Sequence, residues 1–339
     1  MKVALLADDH WGARGDSVIF ADNLDTFYRE TFWPYVDEFK IKDIIHLGDV
    51  FDKRKFVTFN TAHRLRRNFI EPLVQRNMHL TIVLGNHDLP FRHKLNPNGP
   101  RELFPTQDLR FNILDKPTHS NGVLFLPWIC DENREQSLML INHNPARVVI
   151  GHLELTGFEM YRGSVSDKGL PPADFTRFEA VYSGHFHHKS TKGNIHYLGA
   201  TREQTWADVN DPKGFHVLDL DTLELEFIQN PHTVFSDIQF GDTGAVTGKI
   251  VRVVVPEGLD PSIVEMENFM TKVNTLKPLG LKLVDRRKKA TGSNIEFSTN
   301  MLDMLMEAAN EANDNLVEQD LLKGVLRELY EDARKLEVA

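Results

Sequence analysis

Five short apolar runs recur in the first 190 residues of the chain: Val3 to Ala7, Asp43 to Leu47, Leu80 to Leu84, Arg147 to Ile150 and Ala180 to Ser183. Each is rich in Val, Ile or Leu and is followed by a polar cluster. Continuous rather than alternating apolarity over so few residues predicts strands buried on both faces. Between the runs, helical spacing predicts helices over Ala21 to Phe39 and Phe59 to Asn77, which Pro34 and Pro72 should end or kink. Strands and helices alternating in this way predict an α/β domain. From Asn194 the pattern becomes strand-like, at Ile195 to Leu198, Phe215 to Leu218 and Leu223 to Ile228, and should complete a two-sheet core.

Beyond this main domain, expected over 1–240, a strand-like Lys249 to Val255, an amphipathic Ser262 to Leu276 and a strand-like Leu281 to Val284 predict a small α+β domain over 248–292. Gly241 to Gly248 would lead into it. In the last segment Leu302, Leu305, Met306 and Ala309, then Leu322, Val325, Leu326, Leu329, Ala333 and Leu336, recur at helical spacing, which predicts two amphipathic helices within 298–339. Ten acids stand against four bases from Phe297 to Ala339, so much of the chain's net charge of −10 sits there. An acidic helical appendix is expected to dock on a partner protein, packing against the chain's own domains being the plainer alternative.

The remaining composition narrows the class. With 339 residues, 41% of them hydrophobic and 26% charged, the chain can fill a sizeable core, and a disordered protein is excluded. A single cysteine, Cys130, rules out an internal disulfide and fits a reducing compartment. The apolar stretch before Asp8 is too short for a signal-peptide core, and no run approaches the roughly 20 residues of a membrane span. A cytoplasmic protein without a membrane partner is therefore expected. Once the acidic tail is set aside, basic clusters at Lys53-Arg54-Lys55, Arg64-Arg66-Arg67 and Arg286-Arg287-Lys288-Lys289 become candidate phosphate contacts. Lys53, Arg54, Arg64, Arg286 and Arg287 are the candidate DNA-binding residues; solvated surface charge is the alternative reading.

The chemistry is concentrated in the polar clusters Asp8-Asp9-His10, Gly48-Asp49, Gly85-Asn86-His87-Asp88, Gly151-His152 and Gly184-His185-Phe186-His187. Carboxylates, imidazoles and an amide oxygen, with no thiolate, suit hard-to-borderline divalent cations. Placed just past strand ends, they would converge at one sheet edge, where open α/β folds build their sites. Asp8 and His10, like His185 and His187, are one residue apart, and extended backbone would aim each pair to one side. Asp9 and Phe186 would then point away, Asp9 in a structural role and Phe186 into packing. His188 is expected at the surface or behind the site, and His46, His63, His143 and His196 in packing or at the surface. Trp128 and Trp206 are buried aromatics on the plainer reading and DNA-groove residues on the other.

In this order the clusters resemble the calcineurin-like metallophosphoesterase superfamily, whose fold is a two-sheet αββα sandwich. Gly48-Asp49-Val50-Phe51-Asp52, Pro127-Trp128 and Gly151-His152-Leu153-Glu154 make the chain similar to the SbcD-type nuclease subunits of double-strand-break repair, and most of all to the recombination endonuclease subunits of T-even-type phages. The resemblance implies two divalent metal ions, manganese or else magnesium, one held by Asp8, His10, Asp49 and His187 and the other by Asp49, Asn86, His152 and His185, with Asp49 bridging. It implies that His87 stabilises or protonates the reacting phosphate and that Asp88 orients His87. Asp52 stands where some branches carry histidine, so a second catalytic imidazole is not expected. The activity implied is a DNA nuclease, an exonuclease on duplex ends and an endonuclease on single strands, in recombination and repair. It would be homodimeric, would work with a coiled-coil ABC-type ATPase bound by the terminal helices, and would act in the host cytoplasm if phage-encoded. The small domain would cap the site and help grip DNA. The alternative is a metallophosphatase or phosphodiesterase acting on a small-molecule or protein substrate, against which Gly85-Asn86-His87-Asp88 departs from the Gly-Asn-His-Glu form of phosphoprotein phosphatases.

Overall fold

Strand Lys2–Leu6 turns Ala4 and Leu6 to one face and Val3 and Leu5 to the other, and all four are buried. Its unbroken apolarity follows from that position. In the computed structural model, which describes residues 1–285, it lies inside a six-stranded sheet ordered Leu225–Gln229, Gly214–Asp219, Lys2–Leu6, Asp43–His46, His79–Val83, Phe111–Leu114. A second six-stranded sheet runs Ser190–Lys192, Ile195–Tyr197, Ala180–Gly184, Val148–His152, Val123–Leu126, Thr118–Ser120. Val3, Leu5, Ile45 and Val83 of the first sheet pack against Val148, Ile150 and Tyr182 of the second. Helical Leu24, Phe27, Leu65 and Phe69 cover the outer face of the first sheet, and Ile141 and Phe175 cover that of the second. The result is an αββα sandwich. Lys2–Leu6, Asp43–His46 and His79–Val83 run parallel, as do Val148–His152 and Ala180–Gly184, so the polar cluster after each strand emerges at a shared edge of its own sheet.

Pro34 and Pro72 do not end their helices. The first helical stretch runs through Val18–Phe27, a π turn at Tyr28–Phe32 and Trp33–Glu38; the second runs through Phe59–Leu65, a π turn at Arg66–Ile70 and Glu71–Gln75. In each the amide just before the proline, of Trp33 or Glu71, reaches one residue further back than in an α-helix, to Tyr28 or Arg66. The widened turn accommodates a ring that would clash with the carbonyl four residues earlier. The carbonyl of Asn68, four before Pro72, is taken by Trp33 Nε1–H at 2.9 Å, which ties the two helices together.

A third sheet of three parallel strands, Phe235–Gln239, Ile250–Val255 and Gly280–Asp285, is covered by helix Ile263–Thr275 through Phe269 and Val273. A reciprocal Ser262–Glu265 capping box starts that helix. Because Phe235–Gln239 pairs with Ile250–Val255, the sheet begins before the expected boundary at 248. Gly241 to Gly248 is the crossover between its first two strands, not the segment leading into it. The sequence pattern marks no strand at Phe235–Gln239 and leaves these residues inside the expected 1–240 domain, because pairing partners are not encoded locally. Arg286, Arg287, Lys288 and Lys289, and the helices expected within 298–339, lie outside the described residues. Among the described residues no helix is long and apolar enough to cross a membrane.

Candidate metal centre

The clusters converge through left-handed rather than extended backbone. Asp8, His10, Asp49 and His185 have φ of 55°, 48°, 52° and 90°, which corrects the extended geometry expected from their spacing. Such conformations cost on the order of 1 kcal/mol each and persist only where neighbours over-determine them. Here the amides of Asp8 and His10 donate to the carbonyls of Gly48 and Asp49, each at 3.1 Å, while Gln204 Nε2–H holds the Asp8 carbonyl at 2.7 Å. Phe186 does turn into packing, stacked on Tyr197.

Asp49 stands between two groups of ligand-type atoms. Its Oδ2 lies 3.7 Å from His10 Nε2 and 3.5 Å from His152 Nε2, and its Oδ1 accepts the His87 amide at 2.7 Å. On one side, donor atoms of Asp8, His10 and His187 all fall within 4.8 Å of one another, with His10 Nε2 and His187 Nε2 3.1 Å apart. On the other, Asp49, His152 and His185 do the same, and His152 Nε2 is 3.1 Å from Asn86 Oδ1. His152 Nδ1–H donates to the Leu47 carbonyl at 2.7 Å, which leaves Nε2 facing inward as the ring's position for a proton or a cation. His87 also falls within 4.8 Å of His10 and Asp49. The open side is a cleft of about 470 Å³ lined by His10, Asp49, Asn86, His87, His185 and His187.

The electrostatics match a cation-binding pocket. Burial holds His10 well below the ordinary imidazole value and His187 down to about 4, so both rings are neutral and able to donate lone pairs. Burial alone would raise Asp49, but His152, His10 and His87 keep it well below the usual carboxylate range. Against its own burial, His152 is pushed up to about 9 by Asp49, so a proton and a cation compete for its Nε2. Asp8 is raised by burial, with Asp49 close by. Nδ1 of His10 and of His187 is buried without a hydrogen-bond partner. Buried acids, neutral imidazoles and unpartnered ring nitrogens crowded this closely fit divalent metal ions.

The profile of the calcineurin-like phosphoesterase family matches residues 1–189. The chain belongs to that family. It is 31% identical over 331 residues to exonuclease subunit 1 of Enterobacteria phage T4, covering 94% of this chain and 95% of the relative. It is 26% identical over 221 residues to a subunit of the SbcCD nuclease of Staphylococcus epidermidis, covering 54% of this chain and 56% of the relative. Among solved structures, an archaeal phosphodiesterase is similar over 68% of this chain and 100% of its own at 14% identity, with a TM-score of 0.35, too distant to bear on chemistry. This calcineurin-like phosphoesterase is a hydrolase acting on phosphodiester bonds, and its family implies divalent metals.

Within this phosphoesterase, Asp88 does not orient His87. Its buried carboxylate accepts the amides of Gly85, Asp49, Val50 and Phe51 at 2.9, 3.0, 2.9 and 3.3 Å, and burial together with the Asp49 charge pushes it up to about 6. The turn in which the Asp88 amide donates to the Gly85 carbonyl folds the carboxylate away from the neighbouring ring. His87 Nδ1–H donates instead to the backbone carbonyl of Asp52 at 2.7 Å. Arg64 is likewise not a free cation: its guanidinium holds Asp22 and Asp25 at 2.8 and 2.6 Å. Lys53 lines the cleft half-exposed, and Arg54 lies beside His87 in an adjoining cavity of about 260 Å³. Asp9 is structural, bound by Tyr28 Oη–H and by Thr201 Oγ1–H at 2.7 Å, with His46 Nε2 at 3.4 Å. His188 sits behind the site against Asp211 and Glu159. Trp128 packs 5.0 Å from the His185 ring, while Trp206 packs on Phe235 under Arg252.

Several residues that matter here carried no assigned role. Lys213 is buried between Asp208 and Asp211 and donates to the His187 carbonyl at 2.6 Å. Glu154, which belongs to the Gly151-His152-Leu153-Glu154 motif but had no role assigned from it, stands 3.9 Å from His185 Nε2. Thr201, Arg202, Glu203 and Gln204 form a polar run that is buried throughout. Their signal was present: four polar residues follow Gly199-Ala200 directly after a strand, without aliphatic spacing.

Proposed function

We propose that this phosphoesterase is a DNA nuclease, cutting duplex ends exonucleolytically and single strands endonucleolytically. Asp8, His10, Asp49 and His187 would hold one divalent cation, and Asp49, Asn86, His152 and His185 a second. The observation that carries the reading is Asp49, whose carboxylate faces His10 and His152 and so joins two ligand clusters. When bound, two cations so placed supply Lewis acidity that orients a phosphodiester and stabilises its attacking and leaving oxygens. Manganese is the first choice, magnesium the second. With Nδ1–H committed to Asp52, His87 keeps Nε2 for the substrate, where it can neutralise the phosphate or hand a proton to the leaving oxygen. Lys53 and Arg54 supply positive charge along the cleft and bind backbone phosphates without reading sequence.

Kinship to a phage exonuclease subunit and to an SbcCD nuclease subunit supports a role within a larger complex. Residues 298–339 would bind a coiled-coil ATPase, the catalytic region would form a homodimer, and the complex would act in the cytoplasm during recombination and repair. Removing 298–339 should abolish ATPase association and leave basal cleavage; retained association rejects that part.

The deciding experiment incubates the protein with manganese, end-labelled duplex DNA and, in parallel, a phosphomonoester, with His87→Asn as control. Shortened strands that depend on His87 support the nuclease. Hydrolysis of the monoester alone replaces it with a phosphatase acting on small or protein substrates.

A further inference from the structure

Thr201, Arg202, Glu203 and Gln204 are 0, 1, 3 and 5% exposed in a segment that is neither helix nor strand. Buried polar groups are retained only where they are hydrogen-bonded, so their partners define what the segment does. Three of the four face the first metal-type loop. Gln204 Nε2–H donates to the Asp8 carbonyl at 2.7 Å, and Arg202 Nη2–H donates to the carbonyls of Asp9 and His10 at 3.2 and 3.3 Å. Thr201 Oγ1–H donates to Asp9 Oδ1 at 2.7 Å. Each carbonyl of the left-handed Asp8–His10 turn is therefore held by a side chain from this segment.

Glu203 faces the other way. Its Oε2 accepts the amides of Val234 and Phe235 at 2.7 and 2.9 Å, where the first strand of the three-stranded sheet begins. Around that junction Phe20, Val234 and Phe235 pack with Trp206 and Ile250. One four-residue segment thus grips the turn that presents Asp8 and His10 and, by the residue in between, the start of the small sheet.

We infer that Arg202 and Gln204 are positioning residues for the Asp8–His10 pair, and that Glu203 couples the seating of the three-stranded sheet to cation affinity on that side of the site. This rests on the reading that Asp8 and His10 hold a cation. The coupling is weighted to one side. Asn86 and His152 take no hydrogen bond from this segment, and His152 is set by the Leu47 carbonyl. A shift of the small sheet should therefore loosen the first cation much more than the second, which it reaches only through the Asp49 carbonyl held by the His10 amide and through the His185 amide, a donor to the Asp8 carboxylate at 3.1 Å.

The test compares the full chain with Glu203→Ala and Glu203→Gln. The glutamine oxygen keeps an acceptor for both amides, whereas alanine has none. Manganese alone is titrated calorimetrically, and hydrogen exchange is followed in the cation-free protein. For Glu203→Ala we expect one of two uptake steps to weaken by about 10- to 100-fold, the range for residues that orient metal ligands, with the other step changed much less; alanine also strands the two amides and lowers the melting temperature, and glutamine restores both. The amides of Asp8 and His10 should exchange faster while that of Gly85, held by Asp88, does not. Two unchanged steps, or two steps weakened equally, overturn the coupling. If the wild-type chain takes up no manganese, the two-cation reading fails; the exchange arm then decides alone, and unchanged exchange at Asp8 and His10 overturns the positioning role as well.

Discussion

His87 Nδ1 lies 2.7 Å from the carbonyl oxygen of Asp52, so the ring is oriented by backbone rather than by an acid. A carbonyl accepts but cannot take up a proton, so the Nδ1 hydrogen stays in place and Nε2 is left for chemistry. Replacing His87 with Asn should lower kcat by about 100-fold or more, the scale of lost general acid–base help, while manganese uptake is retained. Asp52→Asn keeps the orienting carbonyl and should cost far less. Paired kcat measurements check this, and equal losses in the two variants would show that the Asp52 side chain acts directly.

Asp88 should prove a fold residue. Its two oxygens satisfy four buried amides of the Gly85 and Asp49 loops. The Asp88→Asn amide puts an N–H₂ where an acceptor is needed and strands at least one donor, which should lower unfolding stability by about 2–4 kcal/mol. Denaturant unfolding reads this out. Normal stability combined with a large kcat loss would return Asp88 to a role with His87.

What the sequence made legible, and what it did not, follows from how local each signal is. Lys2–Leu6 and His79–Val83 announced themselves because a strand buried on both faces must be apolar throughout. The ligand-type residues stood out because metal chemistry accepts few side chains, and Gly residues bracket them. The assignment of Asp88 failed because adjacency in sequence says nothing about which way a turn folds a carboxylate. Arg64 misled for a similar reason: its partners Asp22 and Asp25 lie on another helix. The Thr201–Gln204 run was visible as composition but not as function, since its donors reach residues 8 to 10 across the fold.

The histidine at 216 should make the fold acid-sensitive. Burial, aided by Lys189 and His196, holds it down to about 3, and its Nδ1 has no partner. A folded-state value below the unfolded one means that the unfolded chain takes up the proton first. The contribution is therefore intact above about pH 6.5 and is lost as pH falls toward 3, at about 1.4 kcal/mol per unit. Between pH 6.5 and 5 that amounts to roughly 2 kcal/mol. His216→Gln should lose less stability over this interval than the wild type in denaturant unfolding at both pH values, and parallel losses would show that His216 does not titrate as described.

Charge along the cleft should divide the basic residues into two sets. Lys53 lines the main cleft and Arg54 the adjoining cavity, whereas Arg64 is spent on Asp22 and Asp25. Each phosphate contact removed should reduce the slope of log affinity against log salt by about 1. Lys53→Ala and Arg54→Ala should therefore weaken DNA binding and flatten that dependence. Arg64→Ala should leave the slope unchanged, and a drop in slope there would mean that its ion pairs open to admit a phosphate.

Gly85 tests whether the Asp49 carboxylate is placed as tightly as the site requires. A Cβ at Gly85 would lie 2.2 Å from the Asp49 amide nitrogen and 2.3 Å from its Oδ1, and neither can retreat easily. The amide is held by Asp88, and Oδ1 is held by the His87 amide. Gly85→Ala must therefore displace the loop that carries Asp49, and through it a carboxylate that faces both His10 and His152. If Asp49 serves both cations, the two manganese uptake steps should weaken together, unlike the single step expected of Glu203→Ala, and cleavage should fall with them; a chelator added to the wild type should abolish cleavage in the same way. Calorimetric titration of the two glycine variants Gly85→Ala and Gly15→Ala separates this from a general cost of substitution, because alanine at Gly15 brings backbone strain at φ 67° but its Cβ meets nothing within 4 Å. Loss of only one step in Gly85→Ala would mean that Asp49 serves one cation and that the bridge is made by another group.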